Sequence, residues 1–119
     1  MNGVEVYQQT AVGTQNKGRL IVMLYEGAIK FLRQALRDLE AKDYAAKGRN
    51  ISKARDILLE LNTVLDMEAG GEIAQNLRAL YNFMLRHLAQ ANIRCDEQMI
   101  RDVISLLEDL NASWRAITA

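Results

Sequence analysis

Two adjacent glycines, Gly70 and Gly71, stand between two long stretches whose apolar residues recur at three and four residue steps. This pairing of a helix breaker with two helical patterns constrains the fold more than any other feature, because glycine accepts the left-handed backbone that follows a helix at no steric cost. The run Met67-Glu68-Ala69-Gly70-Gly71-Glu72-Ile73-Ala74-Gln75-Asn76-Leu77 therefore predicts one helix stopping at the glycines, a second starting near Glu72, and a hairpin between them.

The chain has no proline, so its remaining boundaries must come from glycine, Asx residues and breaks in periodicity. A first helix is expected from about Lys17 to Ala41, with Leu20, Ile21, Leu24, Ala28, Phe31, Leu32, Ala35 and Leu39 on one face and Glu26, Lys30, Arg33 and Arg37 opposite. A second can begin at Asp43 or at Asn50, since either side chain caps a helix. Asp43 is preferred because it yields about 22 residues, roughly 33 Å, a length matching its neighbours. Its apolar positions are Ile51, Ala54, Ile57, Leu58, Leu61, Val64 and Leu65. The third, from about Glu72 to Ala91, turns Ile73, Leu77, Leu80, Tyr81, Met84, Leu88 and Ala91 inward. Asp96 caps a fourth with Ile100, Val103, Ile104, Leu107, Leu110, Trp114 and Ile117 along its stripe. Short connections between helices of similar length force neighbours to lie antiparallel. The expected fold is all-α, an antiparallel up-down four-helix bundle over residues 17–119. Residues 1–16 lack a sustained period and are expected to form a flexible N-terminal arm.

Composition narrows the function. With 119 residues the chain fits one domain, and 15 Lys and Arg balance 15 Asp and Glu, leaving no net field to recruit nucleic acid. No apolar run is long enough for membrane insertion, and the first residues lack the pattern of a secretory signal, so a cytoplasmic protein is expected. The basic residues Lys42, Lys47, Arg49, Lys53 and Arg55 scatter around their helix and read as a solvated face. Cys95 is the only cysteine and His87 the only histidine, which excludes a disulfide and leaves no partner for a bundle metal site. Neither an activated nucleophile nor a phosphate loop is present, so no catalytic residue, cofactor or metal is assigned and no enzyme is expected.

The width of the apolar stripes remains. On the second helix Ile51, Ala54, Leu58 and Leu65 fill an arc of about 60°, and Ile57, Leu61 and Val64 extend it to roughly 140°. A monomeric bundle can bury such an arc, since globular helices often use a wide face. Left open, the flank becomes a groove able to take an amphipathic segment of a partner, with Ile57, Leu61 and Val64 as its lining.

Taken in order, Tyr7-Gln8-Gln9, Leu20-Ile21-Val22-Met23-Leu24-Tyr25-Glu26-Gly27-Ala28, Ile51-Ser52-Lys53-Ala54, Glu60-Leu61, Leu65-Asp66, Gly70-Gly71-Glu72-Ile73-Ala74-Gln75-Asn76-Leu77, Leu80-Tyr81, Ala91-Asn92 and Trp114 resemble the flagellar secretion chaperone family FliS. The ordered set spans nearly the whole chain. It departs from the family in one place, where Thr14-Gln15-Asn16-Lys17-Gly18 replaces the usual Ser-Pro or Thr-Pro pair before the first helix. The resemblance implies a cytosolic export chaperone that binds the disordered C-terminal segment of flagellin and holds it from premature polymerisation until delivery to the flagellar type III export apparatus. It leaves the export apparatus and regulatory proteins open as further partners. It also implies that the arm contributes to flagellin binding through Tyr7 and covers a groove when no partner is present. Leu77, Tyr81 and Trp114 occupy family motif positions at stripe centres, where a core role is expected. A self-associating structural bundle is the alternative use of the same flanks.

Overall fold

The structure, a computed structural model, describes residues 14–118. Four helices account for nearly all of them: α1 (Thr14–Glu40), α2 (Tyr44–Val64), α3 (Met67–Arg94) and α4 (Glu97–Thr118), with no strand among the described residues. The connections are residues 41–43, 65–66 and 95–96, too short for anything but antiparallel neighbours. Each helix packs on the next in sequence, and α4 closes the ring against α1. This is the expected four-helix bundle.

The core follows the stripes. Tyr25, Ala28, Leu32 and Ala35 of α1, Ile51, Ala54 and Leu58 of α2, Tyr81, Met84, Leu88 and Ala91 of α3, and Ile100, Val103 and Leu107 of α4 are all buried in one cluster. Removing a buried leucine such as Leu58 as far as alanine costs about 2–5 kcal/mol in a core of this kind.

Asx caps set three of the helix starts. The Asp43 carboxylate accepts from the Ala46 amide at 3.1 Å and the Asp96 carboxylate from the Met99 amide at 3.2 Å, both at the boundaries expected from sequence. Asp66 is the third, accepting from the Ala69 amide at 2.9 Å, and it corrects the reading of the double glycine. Leu65 is already extended (φ −64°, ψ 126°), so α2 ends at Val64, six residues before Gly70, and α3 begins at Met67. Gly71 then interrupts α3 with φ 53° and ψ −129°, a conformation open to glycine and strained for other residues. The glycines kink the third helix after its first turn and do not terminate the second.

Two other ends use left-handed residues that are not glycine. Lys42 (φ 60°) lets the Asp43 amide donate to the Asp38 carbonyl at 2.8 Å, and Cys95 (φ 52°) lets the Asp96 amide donate to the Ala91 carbonyl at 3.0 Å. Both are six-to-one Schellman closures.

Side chains expected at the surface or in the core also move. Lys47 is only 4% exposed, its ammonium donating to the Asn92 carbonyl at 2.8 Å and lying 3.5 Å from the Cys95 sulfur, so it ties α2 to the end of α3. Its long stem reaches past the solvated face to orphan acceptors at a helix C-terminus, which favour a cation. Conversely Ile73 and Ile117 are 72% and 74% exposed. Ile73 follows the kink, which turns it out of the stripe, and Ile117 lies in the last turn of α4.

Candidate functional site

An antiparallel ring brings the start of α1, the end of α2, the start of α3 and the end of α4 to one end of the bundle. There the structure opens an apolar groove of about 330 Å³. From α1 it takes Lys17 and Ile21, from α2 Leu61 and Val64, and from α4 Trp114. The α2–α3 connection and the kinked first turn of α3 contribute Leu65, Asp66, Ala69 and Gly70, and the helix beyond the kink adds Ile73, Ala74, Leu77 and Tyr81. The kink shapes this wall. Gly70 sits so close to Ala74 that a Cβ on it would fall 2.6 Å from the Ala74 methyl, so the turn closes onto the groove only with glycine there.

The floor is buried and the rim is open. Leu61 and Tyr81 are each 1% exposed, whereas Leu77 and Trp114 are half-buried and Ile73 stands out in solvent. Under the floor the Tyr25 and Tyr81 hydroxyls share a 2.6 Å hydrogen bond, with rings edge to face at 6.3 Å, and Trp114 packs on Tyr25 at 6.5 Å between centroids. Burial pushes both phenols above their ordinary pKa, and for Tyr81 the bond with Tyr25 pushes the same way. They stay neutral near neutral pH, so the pair is a polar rivet in an apolar floor and no acid or base.

The structure separates the three stripe residues assigned from sequence. Leu61 and Val64 line the groove. Ile57 does not: it lies in the α1–α2 seam, its Cδ1 3.3 Å from where a Cβ on Gly27 would stand. Tyr7 lies outside the described residues. Sequence reasoning missed Ile21, Ala69, Gly70 and the exposed face of Ile73, and it treated Leu77, Tyr81 and Trp114 as core alone. Tyr81 belongs to both, buried in the cluster yet forming the groove floor. The available signal was the coincidence of a double glycine with aromatic residues at one bundle end.

The only histidine has a structural role. His87 Nε2 lies 3.2 Å from the Asp102 carboxylate and its ring stacks on Phe83 at 4.9 Å, linking α3 to α4. Donation from Gln98, and then from His87, holds the Asp102 carboxyl below its usual pKa. Among the described residues no group of three or more His, Cys, Asp or Glu is placed to hold a metal ion, and no helix is long and apolar enough to cross a membrane.

The site is thus an apolar groove of about 330 Å³ with a buried floor and an exposed rim. The model of the family described as "Flagellar protein FliS" matches residues 1–119. The chain belongs to this family. It is 42% identical over 122 residues to the flagellar secretion chaperone FliS of Salmonella typhimurium, covering 98% of this chain and 90% of that protein. It is 37% identical to the flagellar secretion chaperone FliS of Bacillus subtilis (96% of this chain, 84% of that protein) and 35% identical to that of Vibrio cholerae (96% and 87%).

Proposed function

We propose that this protein is a flagellar secretion chaperone, not an enzyme, and that its apolar groove receives the disordered C-terminal segment of flagellin. The groove carries this reading: Leu61, Val64, Ile73, Leu77 and Trp114 offer a continuous apolar lining with no charged group but Lys17 and Asp66 at its margin. A disordered client cannot bury its own apolar residues and gains by laying them, as an amphipathic helix, into such a surface. While held, those residues are unavailable for filament assembly in the cytoplasm. Release at the type III export apparatus returns them.

Energetics suit holding with release. Burying about 1,000 Å² of apolar surface offers some 25 kcal/mol gross, most of it offset by ordering the client and by lost rigid-body freedom. The first helix begins at Thr14, three residues before the Lys17 expected from sequence, so residues 1–13, which carry Tyr7, are the part of the chain we assign to contacting the client beyond the groove.

Calorimetric titration with a flagellin C-terminal peptide tests the proposal. Coupled folding onto an apolar surface of that size gives a heat-capacity change of about −0.4 kcal/mol/K. Absence of binding, or binding with a heat-capacity change near zero, contradicts it.

A further inference from the structure

A second groove runs between α1 and α4, about 480 Å³ in volume and opposite in chemistry to the first. Its walls carry four cations, Lys30, Arg33, Arg37 and Arg115, against two carboxylates, Glu26 and Glu108. Both carboxylates are already engaged across the groove, Glu108 by Arg33 and Glu26 by Arg115. Lys30 and Arg37 have no carboxylate partner among the described residues, and the Arg37 guanidinium donates only to the Gln34 side-chain oxygen. At the base lies Asn111, 4% exposed, whose side-chain oxygen has no hydrogen-bond donor. Of the three buried side-chain polar atoms without a partner among the described residues, Arg55 Nε, Asn62 Oδ1 and Asn111 Oδ1, only that of Asn111 belongs to a residue lining this groove.

We propose that this groove docks an acidic helical segment of a second polypeptide, separate from the client in the apolar groove. Three observations select that occupant. Lys30 and Arg37 are two helical turns apart, about 10 Å along α1, too far for one compact anion to bridge and matched by carboxylates at i and i+7 of a helix. With Glu26 and Glu108 paired to Arg115 and Arg33, the groove is left with two separate cations, which suit two spaced carboxylates better than the continuous phosphate backbone of a nucleic acid. Asn111 lines the groove but its oxygen is buried, so it takes a donor from a Gln or Asn between the two acidic positions only by turning outward as the segment docks. The occupant of the apolar groove must present apolar residues, so the two surfaces select different chemistries and leave room for two partners at once.

The test uses a fluorescein-labelled helical peptide with Glu at i and i+7 and Gln at i+3, titrated into the full chain by anisotropy, first alone and then with the flagellin C-terminal peptide at saturation. Expected are saturable binding in both states and at least a tenfold loss of affinity with Lys30→Glu/Arg37→Glu, or when both peptide Glu are replaced by Gln. A shift of the Asn111 side-chain amide resonance on binding is also expected. Both lysine and arginine side chains are on the solvent side of α1, so the variant is expected to fold; Lys30→Gln/Arg37→Gln, which adds no new charge, gives a second reading with a smaller loss. Equal affinity in the charge-reversed variant, an unmoved Asn111 amide, or displacement of one peptide by the other overturns the proposal.

Discussion

Ile73 offers the cleanest test of where the client sits. It is 72% exposed in the free protein and lines the apolar groove, so truncating it removes little from the folded state while removing apolar surface from the complex. Full burial of an isoleucine side chain contributes about 1.5–3 kcal/mol, and scaling by its exposed share leaves about 1–2 kcal/mol for the client to gain. Ile73→Ala should therefore weaken binding of the flagellin C-terminal peptide by about five- to thirtyfold. The same change favours the helix by a few tenths of a kcal/mol, so the variant should be as stable as the parent. Calorimetric titration and denaturant unfolding of both proteins decide the matter. An affinity within twofold of the parent, in a variant with an unchanged unfolding midpoint, refutes the placement.

Leu61→Asp tests the fold before it tests capture. Leu61 is 1% exposed, so an aspartate there buries an unpaired charge, and circular dichroism should show lost helicity or a midpoint lowered by several kcal/mol of stability. Gly71→Ala forces a side chain into φ 53°, ψ −129°, and denaturant unfolding should register a loss of about 1–3 kcal/mol. Tyr81→Phe strands the Tyr25 hydroxyl in the core, a loss of about 1–3 kcal/mol that Tyr25→Phe/Tyr81→Phe should largely restore. The raised phenol pKa values also set an alkaline limit. Above pH 10 the unfolded chain releases these two protons before the folded one does, so stability should fall as pH rises, by about 1.4 kcal/mol per pH unit per tyrosine, and less steeply in the double phenylalanine variant.

The bundle was legible in the sequence because a 3.6-residue period over four segments leaves few packings, and because Asp43 and Asp96 announce their helices by side-chain chemistry. The double glycine misled for a local reason. The Asp66 carboxylate and an extended Leu65 had already ended α2, so the glycines fell inside the next helix, where a positive φ bends the chain and does not stop it. Schellman ends at Lys42 and Cys95 carry no glycine and so gave no signal.

The groove was half legible. Angular position on a helix picks out Ile57, Leu61 and Val64 together, yet Val64 lies two turns, about 10 Å, beyond Ile57 toward the bundle end. Periodicity has no measure of where a neighbouring helix runs out, and that decides which stripe residues face an opening. Leu77 and Trp114 show the same effect: core-facing by angle, they are half-buried because the bundle ends around them. Lys30 and Arg37 illustrate the converse, since an outward angle places them on the wall of a groove that exists only once α4 packs beside α1.

Trp114, the only tryptophan in the chain, lines the apolar groove and reports directly on its occupancy. Titration of the protein with a tryptophan-free flagellin C-terminal peptide should shift Trp114 emission to shorter wavelength, saturating at the calorimetric Kd. Binding by calorimetry with Trp114 emission unchanged would place the client elsewhere and contradict the account.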